Sequence, residues 1–190
     1  MKIGLYFGSF NPVHIGHLII ANHAVNETEL NQVWFVVSPQ NPFKQSSSLL
    51  NEYHRLHLIK SAIDGENNLR ASSVEFNMPK PSYTVDSLVY LKEKYPEHEF
   101  SLLIGSDGFQ NINKWKNYSV ILNNHKFYIY KRPGFSITED YGANIHIFNA
   151  PLLEISSTYI RELIKRKKSI RFLVPDIVKE EIETGAYYRI

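Results

Sequence analysis

Two histidines, His14 and His17, stand three residues apart in the stretch Gly8-Ser-Phe-Asn-Pro-Val-His-Ile-Gly-His17. On a helix that spacing puts both rings on one face. Gly8 lets the backbone turn sharply and lets a ligand come close, and Asn11-Pro12 continues the turn. A helix starting near Val13 or His14 would present free amide groups, which attract phosphate. Two imidazoles there could stabilise the extra negative charge that a phosphate develops in its transition state. Gly16, between them, keeps a side chain from crowding such a phosphate. A zinc pair or two surface histidines are the alternatives. Zinc needs further ligands, and its histidine pairs more often sit four apart with a nearby acid. No Gly-x-x-x-x-Gly-Lys-Ser/Thr stretch occurs, which excludes a P-loop enzyme.

A second stretch, Ile155-Ser-Ser-Thr-Tyr-Ile-Arg161, carries compatible chemistry. Ser156, Ser157 and Thr158 can cap a helix start, and Arg161 lies one turn further on. Hydroxyls, free amides and an arginine fork suit a polyphosphate. Plain helix capping is the competing reading. The run Lys165, Arg166, Lys167, Lys168 and Arg171 reads as a solvated helix face that adds weak attraction for anions.

The elements that must position these residues follow from the apolar pattern. Lys2 to Phe7, Val33 to Val37, Ala71 to Phe76, Phe100 to Ile104, Lys126 to Tyr130 and Ile145 to Phe148 read as strands. Several are continuous apolar runs, as expected where both faces of a strand are covered. Between them lie helical spacings: Ile15, Leu18, Ile19 and Val25; Leu56, Ile59 and Ile63; Val85, Leu88, Val89 and Leu91. Pro175 to Gly185 reads as a helix with proline at its first position and glycine after its last turn. The alternation predicts a Rossmann-like α/β fold, a doubly wound parallel sheet with helices on both faces. Residues 1–190 are expected to form one domain, with a C-terminal helical part from about residue 156. In such a sheet ligands bind beyond the carboxyl ends of the strands, where the Gly8 corner would lie.

Composition narrows the classes. The chain has 190 residues, 43% of them apolar, which suits a folded domain with a full core. No stretch approaches the roughly 20 apolar residues needed to span a bilayer. The opening run Met1 to Phe7 is too short for a signal-peptide core, so a cytoplasmic location is the default expectation. The absence of cysteine excludes disulfides and thiolate metal sites. A net charge of +2 gives no footing for nucleic acid or membrane binding.

A strand, then Gly-Ser-Phe-Asn-Pro-x-His-x-Gly-His, then a distant Ile-Ser-Ser-Thr-x-Ile-Arg, resembles the signature of the nucleotidyltransferase superfamily. Pro81-Ser-Tyr-Thr-Val-Asp-Ser-Leu88, Ile104 to Trp115, Tyr130-Lys-Arg-Pro-Gly134 and the tail Leu173 to Tyr188 narrow the likeness to bacterial nicotinate-nucleotide adenylyltransferases. The chain departs from that pattern at Gly108, where an asparagine is frequent, and at Asn113, where a histidine is frequent.

The resemblance implies a reaction and a set of roles. ATP and nicotinate mononucleotide would join to give nicotinate adenine dinucleotide and pyrophosphate, with no covalent enzyme intermediate. His14 and His17 would meet the ATP phosphates, Ser157, Thr158 and Arg161 would meet the β- and γ-phosphates, and Ser156 would join the ATP-binding residues. Gly8, Ser9 and Phe10 would line the nucleotide turn, Gly105 and Asp107 would reach a ribose, and Lys44 would close over the phosphates. Asn11, Ser82, Tyr83, Thr84 and Trp115 would receive the mononucleotide, Trp115 by stacking on the pyridine ring. By position alone Trp115 reads as core, and Tyr83-Thr84 as an ordinary helix start. Mg²⁺ would ride on the ATP phosphates with few or no protein ligands. The alternatives are an enzyme of the same fold using nicotinamide mononucleotide, alone or in addition, and a non-catalytic nucleotide sensor. A homo-oligomer is left open.

Overall fold

The apolar runs become strands, the central ones buried on both faces and the edge strands over residues 69–72 and 145–148 partly exposed. The computed structural model describes residues 1–40, 49–151 and 153–189. In chain order its elements are β1 (Lys2–Gly8), α1 (Ile15–Glu27), β2 (Gln32–Val37), α2 (Glu52–Ala62), β3 (Leu69–Ser72), α3 (Thr84–Lys94), β4 (Glu99–Gly105), the single turn α4 (Ser106–Phe109), α5 (Tyr118–Asn124), β5 (Phe127–Tyr130), β6 (Ile145–Phe148), α6 (Ser157–Lys165) and α7 (Asp176–Thr184). The strands form one sheet in the order β3-β2-β1-β4-β5-β6, with every neighbouring pair parallel. The chain leaves β3 at one edge and re-enters beside β1 as β4. A crevice therefore opens beyond the carboxyl ends of β1 and β4, at Gly8 and Gly105.

Strand alternation distributes the core. Ile3, Leu5, Trp34, Val36, Phe127 and Ile129 point to one side, where Leu88 and Leu91 of α3 and Ile121 of α5 cover them. Tyr6, Val33, Phe35, Val37, Tyr128 and Tyr130 point to the other, beneath Ala21 and Ala24 of α1, Leu58 and Ile59 of α2 and Val178 and Ile182 of α7. This is the doubly wound Rossmann-like arrangement that the sequence predicts.

Local differences have physical reasons. α1 buries Gly16, Ile20, Ala21 and Ala24, while Ile15, Leu18, Ile19 and Val25 are only partly covered. Small residues let this helix lie close to the sheet, a choice that hydrophobic spacing does not reveal. α2 buries Arg55 with Leu58 and Ile59, and Leu56 sits at the margin. Val89 of α3 is 55% exposed. The strand expected over Ala71 to Phe76 ends at Ser72, and Val74–Asn77 forms a tight 3₁₀ turn. That turn swings Glu75 inward, where its carboxylate accepts the hydroxyls of Ser82 (2.6 Å) and Ser87 (2.7 Å). Pro175 precedes α7 by one residue instead of opening it, and Gly185 follows its last turn as expected.

Candidate active site

The turn after β1 is built with its carbonyl groups tied back. The Gly8 carbonyl accepts from the Ser38 amide at 2.9 Å, extending the β1–β2 ladder. The Ser9 carbonyl accepts from Nη1 of Arg55 at 2.5 Å. The Asn11 carbonyl accepts from Nη1 of Arg161 at 2.7 Å, and the Pro12 carbonyl accepts from the Ser157 hydroxyl at 2.9 Å. Oxygens that would repel an anion are thus engaged elsewhere. Phe10 has a left-handed backbone, φ 45°. Its ring packs edge-on against Tyr6, Phe35 and His17. A Cβ at Gly8 would come within 2.9 Å of that ring, so glycine is required there by the aromatic packing. The Asn11 side chain also braces the turn, accepting from the Leu50 amide at 3.1 Å.

The two histidines stack, with ring centroids 3.6 Å apart and planes 26° from parallel. His14 is the residue just before α1, and its backbone amide donates to Nδ1 of His17 at 3.3 Å. That bond requires an unprotonated Nδ1, so the neutral ring of His17 carries its proton on Nε2, as a donor. Burial, and secondarily the nearby Arg132, lower the His14 pKa from 6.5 to about 4. His14 is therefore neutral at pH 7. Its Nδ1 is buried without a hydrogen-bond partner among the described residues. A Cβ at Gly16 would lie 3.1 Å from that nitrogen, so the glycine makes room for the His14 ring. Of the first amides of α1, that of Ile15 is engaged by the Leu173 carbonyl at 3.0 Å.

Ser156 caps α6 by accepting from the Tyr159 amide at 3.1 Å. Arg161, one turn in, also donates from Nη2 to the Thr158 hydroxyl at 3.3 Å. Across the crevice, β4 ends at Gly105, and Asp107 pairs with Nη1 of Arg132 at 3.0 Å. The Arg132 backbone amide is held by the Ser106 hydroxyl at 2.9 Å. Beneath them the hydroxyls of Tyr6 and Tyr130 meet at 3.3 Å, and burial raises both pKa values, so both stay protonated. A side chain at Gly108 would meet Cγ1 of Ile104 at 2.8 Å, so Ile104 fills the space that the more usual asparagine would take.

A single cleft of about 790 Å³ gathers Gly8, Ser9, Phe10, Asn11, His14, His17, Ser82, Tyr83, Thr84, Gly105, Asp107, Trp115, Ser156, Ser157, Thr158 and Arg161. Lys44 lies outside the described residues. Ser82 lines the cleft, yet its hydroxyl is committed to Glu75. α3 starts after Tyr83 without a side-chain cap, which leaves its first turn uncapped beside Thr84. The Lys116 ammonium sits 4.5 Å from the centre of the Tyr83 ring and pairs with Asp86 at 3.1 Å.

Sequence reasoning missed Arg132, Arg55, Glu75 and Lys116. Arg132 follows the last apolar residue of a strand, on the side of the sheet where ligands bind, and that position was a usable signal. Arg55 falls three and four residues before Leu58 and Ile59, on the stripe α2 buries. Glu75 had no signal, because its segment read as strand.

The fold and the tied-back turn place the chain in a known class of nucleotide-handling α/β proteins: residues 5–163 match the family model described as Cytidylyltransferase-like. A protein of Cytophaga hutchinsonii named "Probable nicotinate-nucleotide adenylyltransferase" is 51% identical over 191 residues, covering 99% of this chain and 98% of its own. One of the same name from Bacillus licheniformis is 35% identical over 187 residues, 98% of each chain. The chain belongs to the nicotinate-nucleotide adenylyltransferase family. Among solved structures, Plasmodium falciparum nicotinic acid mononucleotide adenylyltransferase complexed with NaAD superimposes with a TM-score of 0.83, covering 98% of this chain and 97% of that one. At 22% sequence identity that likeness is one of fold. Among the described residues no helix is long and apolar enough to cross a membrane.

Proposed function

We propose that the protein joins ATP and nicotinate mononucleotide into nicotinate adenine dinucleotide, releasing pyrophosphate, as a step of NAD biosynthesis. The observation that carries this reading is the position of the stacked His14–His17 pair. It lies in one cleft with Ser157, Thr158 and Arg161 and with Thr84 and Trp115. One cleft thus holds groups suited to a polyphosphate and groups suited to an aromatic mononucleotide beside the histidine pair.

In the reaction a 5′-phosphate oxygen of the mononucleotide attacks the α-phosphorus of ATP. The bond to the pyrophosphate oxygen breaks as the new P–O bond forms. The protein's contribution is positioning and charge stabilisation. His17, with its proton on Nε2, donates toward the α-phosphate as negative charge grows. Burial first, and Arg132 second, keep His14 neutral in the free protein. A bound triphosphate offsets that cation and makes protonation easier, so His14 gains donor strength when the substrate is present. Arg161 reaches the outer phosphates, Asp107 the ribose hydroxyls, and Trp115 stacks on the pyridine ring.

Magnesium would accompany ATP. The cleft offers imidazole nitrogens, hydroxyls and the scattered carboxylates of Glu75, Asp107 and Glu154, of which Glu75 is held by Ser82 and Ser87 and Asp107 is paired with Arg132, and no cluster of three or more His, Cys, Asp or Glu occurs among the described residues. This donor set suits a Mg²⁺ that takes its ligands from phosphate and water. ATP as co-substrate also favours a cytoplasmic enzyme.

The test is pyrophosphate release from ATP with nicotinate mononucleotide, nicotinamide mononucleotide or neither. Release that depends on the nicotinate form supports the proposal. ATP binding without release on any mononucleotide would make the protein a sensor.

A further inference from the structure

Arg55 is fully buried, and its guanidinium donates to carbonyl oxygens alone among the described residues. Nε donates to Leu50 at 2.7 Å, Nη1 to Ser9 at 2.5 Å and Ser38 at 2.9 Å, and Nη2 to Pro39 at 3.2 Å. Four of its five N–H donors are used, on three separate segments: the turn after β1, the end of β2 and the start of α2. Burying a guanidinium costs free energy, and side-chain truncation would strand four carbonyls. Glu52, the carboxylate that acts on Arg55 electrostatically, is paired with Lys80 at 2.7 Å and makes no hydrogen bond to the fork.

We infer that Arg55 is a positioning residue for the phosphate-binding turn, holding the Ser9 carbonyl into the protein from beneath. The Ser9–Phe10 peptide is trans, so turning that carbonyl toward Arg55 turns the Phe10 N–H the opposite way. Loss of the anchor lets the carbonyl rotate toward the cleft, where it opposes a phosphate. The same fork ties the turn to Ser38 and Pro39, so the β1 and β2 ends are held in one register around the substrate. Arg161 and Ser157 hold the Asn11 and Pro12 carbonyls from the cleft side, and Arg55 is the counterpart from the core.

This rests on the proposed phosphate role of the turn. Arg55→Lys keeps a charge and loses the fork, while Arg55→Gln keeps two donors and loses the charge. ATP Kd by calorimetry, and kcat and the mononucleotide KM by pyrophosphate release, are measured well below each variant's unfolding midpoint. A displaced turn is expected to weaken ATP binding or kcat by about 10- to 100-fold, with the mononucleotide KM changed less than about threefold. Leu58→Ala, in the same helix and also buried, is the control: it lowers the midpoint and leaves ATP Kd and kcat near wild type. Wild-type ATP Kd and kcat in folded Arg55→Lys or Arg55→Gln would overturn the inference. So would the same losses in Leu58→Ala, or failure of both Arg55 variants to fold. If the wild type binds ATP but releases no pyrophosphate, the proposed function fails, while the ATP Kd comparison still decides the role of Arg55.

Discussion

Arg161 donates to the Asn11 carbonyl at 2.7 Å, joining points 150 residues apart in the chain. One side chain thereby couples the two motifs that carry the phosphate chemistry. It braces the turn after β1 and lines the cleft beside Ser157 and Thr158, where the proposed function puts the outer phosphates of ATP. An arginine can do both because its planar fork has several donors in fixed directions.

Arg161→Ala should lower catalytic efficiency for ATP by roughly 10- to 150-fold, the equivalent of one charge-assisted hydrogen bond of about 1.5 to 3 kcal/mol. Arg161→Lys should recover only part of this, since one ammonium cannot span the Asn11 carbonyl, the Thr158 hydroxyl and a phosphate together. Separate calorimetric titrations with ATP and the mononucleotide check the assignment. ATP affinity should fall and mononucleotide affinity should change little. Equal losses in both would make Arg161 a brace alone.

His17→Ala should separate turnover from affinity. A donor that strengthens as charge develops in the transition state contributes mainly to kcat. The expected result is a folded protein that binds ATP within about tenfold of wild type and turns over about 10² to 10³ times more slowly. His14→Ala should move in the same direction. Single-turnover rates at saturating substrate test this, and near-normal rates would remove the histidines from the chemistry.

The parallel α/β class of the sheet and the location of the cleft were legible because continuous apolar strands alternate with helices and a glycine-proline corner ends the first of them; the strand order was not. That the two histidine rings lie together was legible from spacing alone; their stacking was not, because His14 precedes the helix instead of standing on it. What escaped the sequence was polar burial. Arg55 and Glu75 each find their partners only in three dimensions, Arg55 in the carbonyls of Ser9 and Ser38 and Glu75 in the hydroxyls of Ser82 and Ser87. Hydrophobic periodicity assigns such residues to the surface, or breaks the element at the wrong place, as it does between Ser72 and Val74.

The buried His14 makes stability depend on pH in a definite direction. Unfolded, its imidazole takes a proton near pH 6.5, whereas in the folded protein burial delays protonation to about pH 4. Between these values the unfolded state binds more protons, so stability falls as pH drops from about 6.5 to 4. The ceiling for this one group is about 3 kcal/mol. Glu29 extends the trend: hydrogen bonds from Lys126, Lys2 and Tyr128 lower its pKa from 4.5 to about 2, so its contribution is lost below pH 4.5. Urea midpoints of the wild type should decline on acidification through the first window, and His14→Gln should flatten that decline. An unchanged slope in the variant would place the acid sensitivity elsewhere.

The choice between acid and amide substrate follows from the start of α3. Tyr83 precedes the helix without a side-chain cap, and Ser82 and Ser87, which could have competed for its free amides, give their hydroxyls to Glu75. With Trp115 stacked on the pyridine ring, the uncapped turn near Thr84 faces the ring substituent. A carboxylate there gains charge-assisted hydrogen bonds and a helix-dipole contribution of about 0.3 to 1 kcal/mol. A carboxamide presents its NH₂ to donors, and an unpaired buried donor costs about 1 to 3 kcal/mol. Lys116, over the Tyr83 ring, adds positive potential on the same side, weakened by its exposure and its pairing with Asp86. Together these predict at least about tenfold higher catalytic efficiency with nicotinate than with nicotinamide mononucleotide. Lys116→Ala should narrow the ratio only modestly, by about two- to fivefold, as expected of a solvent-screened charge. Steady-state rates with both mononucleotides, for wild type and Lys116→Ala, decide the matter. Equal use of the two by the wild type would mean that the first turn of α3 does not meet the substituent. A collapse of the ratio in Lys116→Ala would move the discrimination from the helix amides to the lysine.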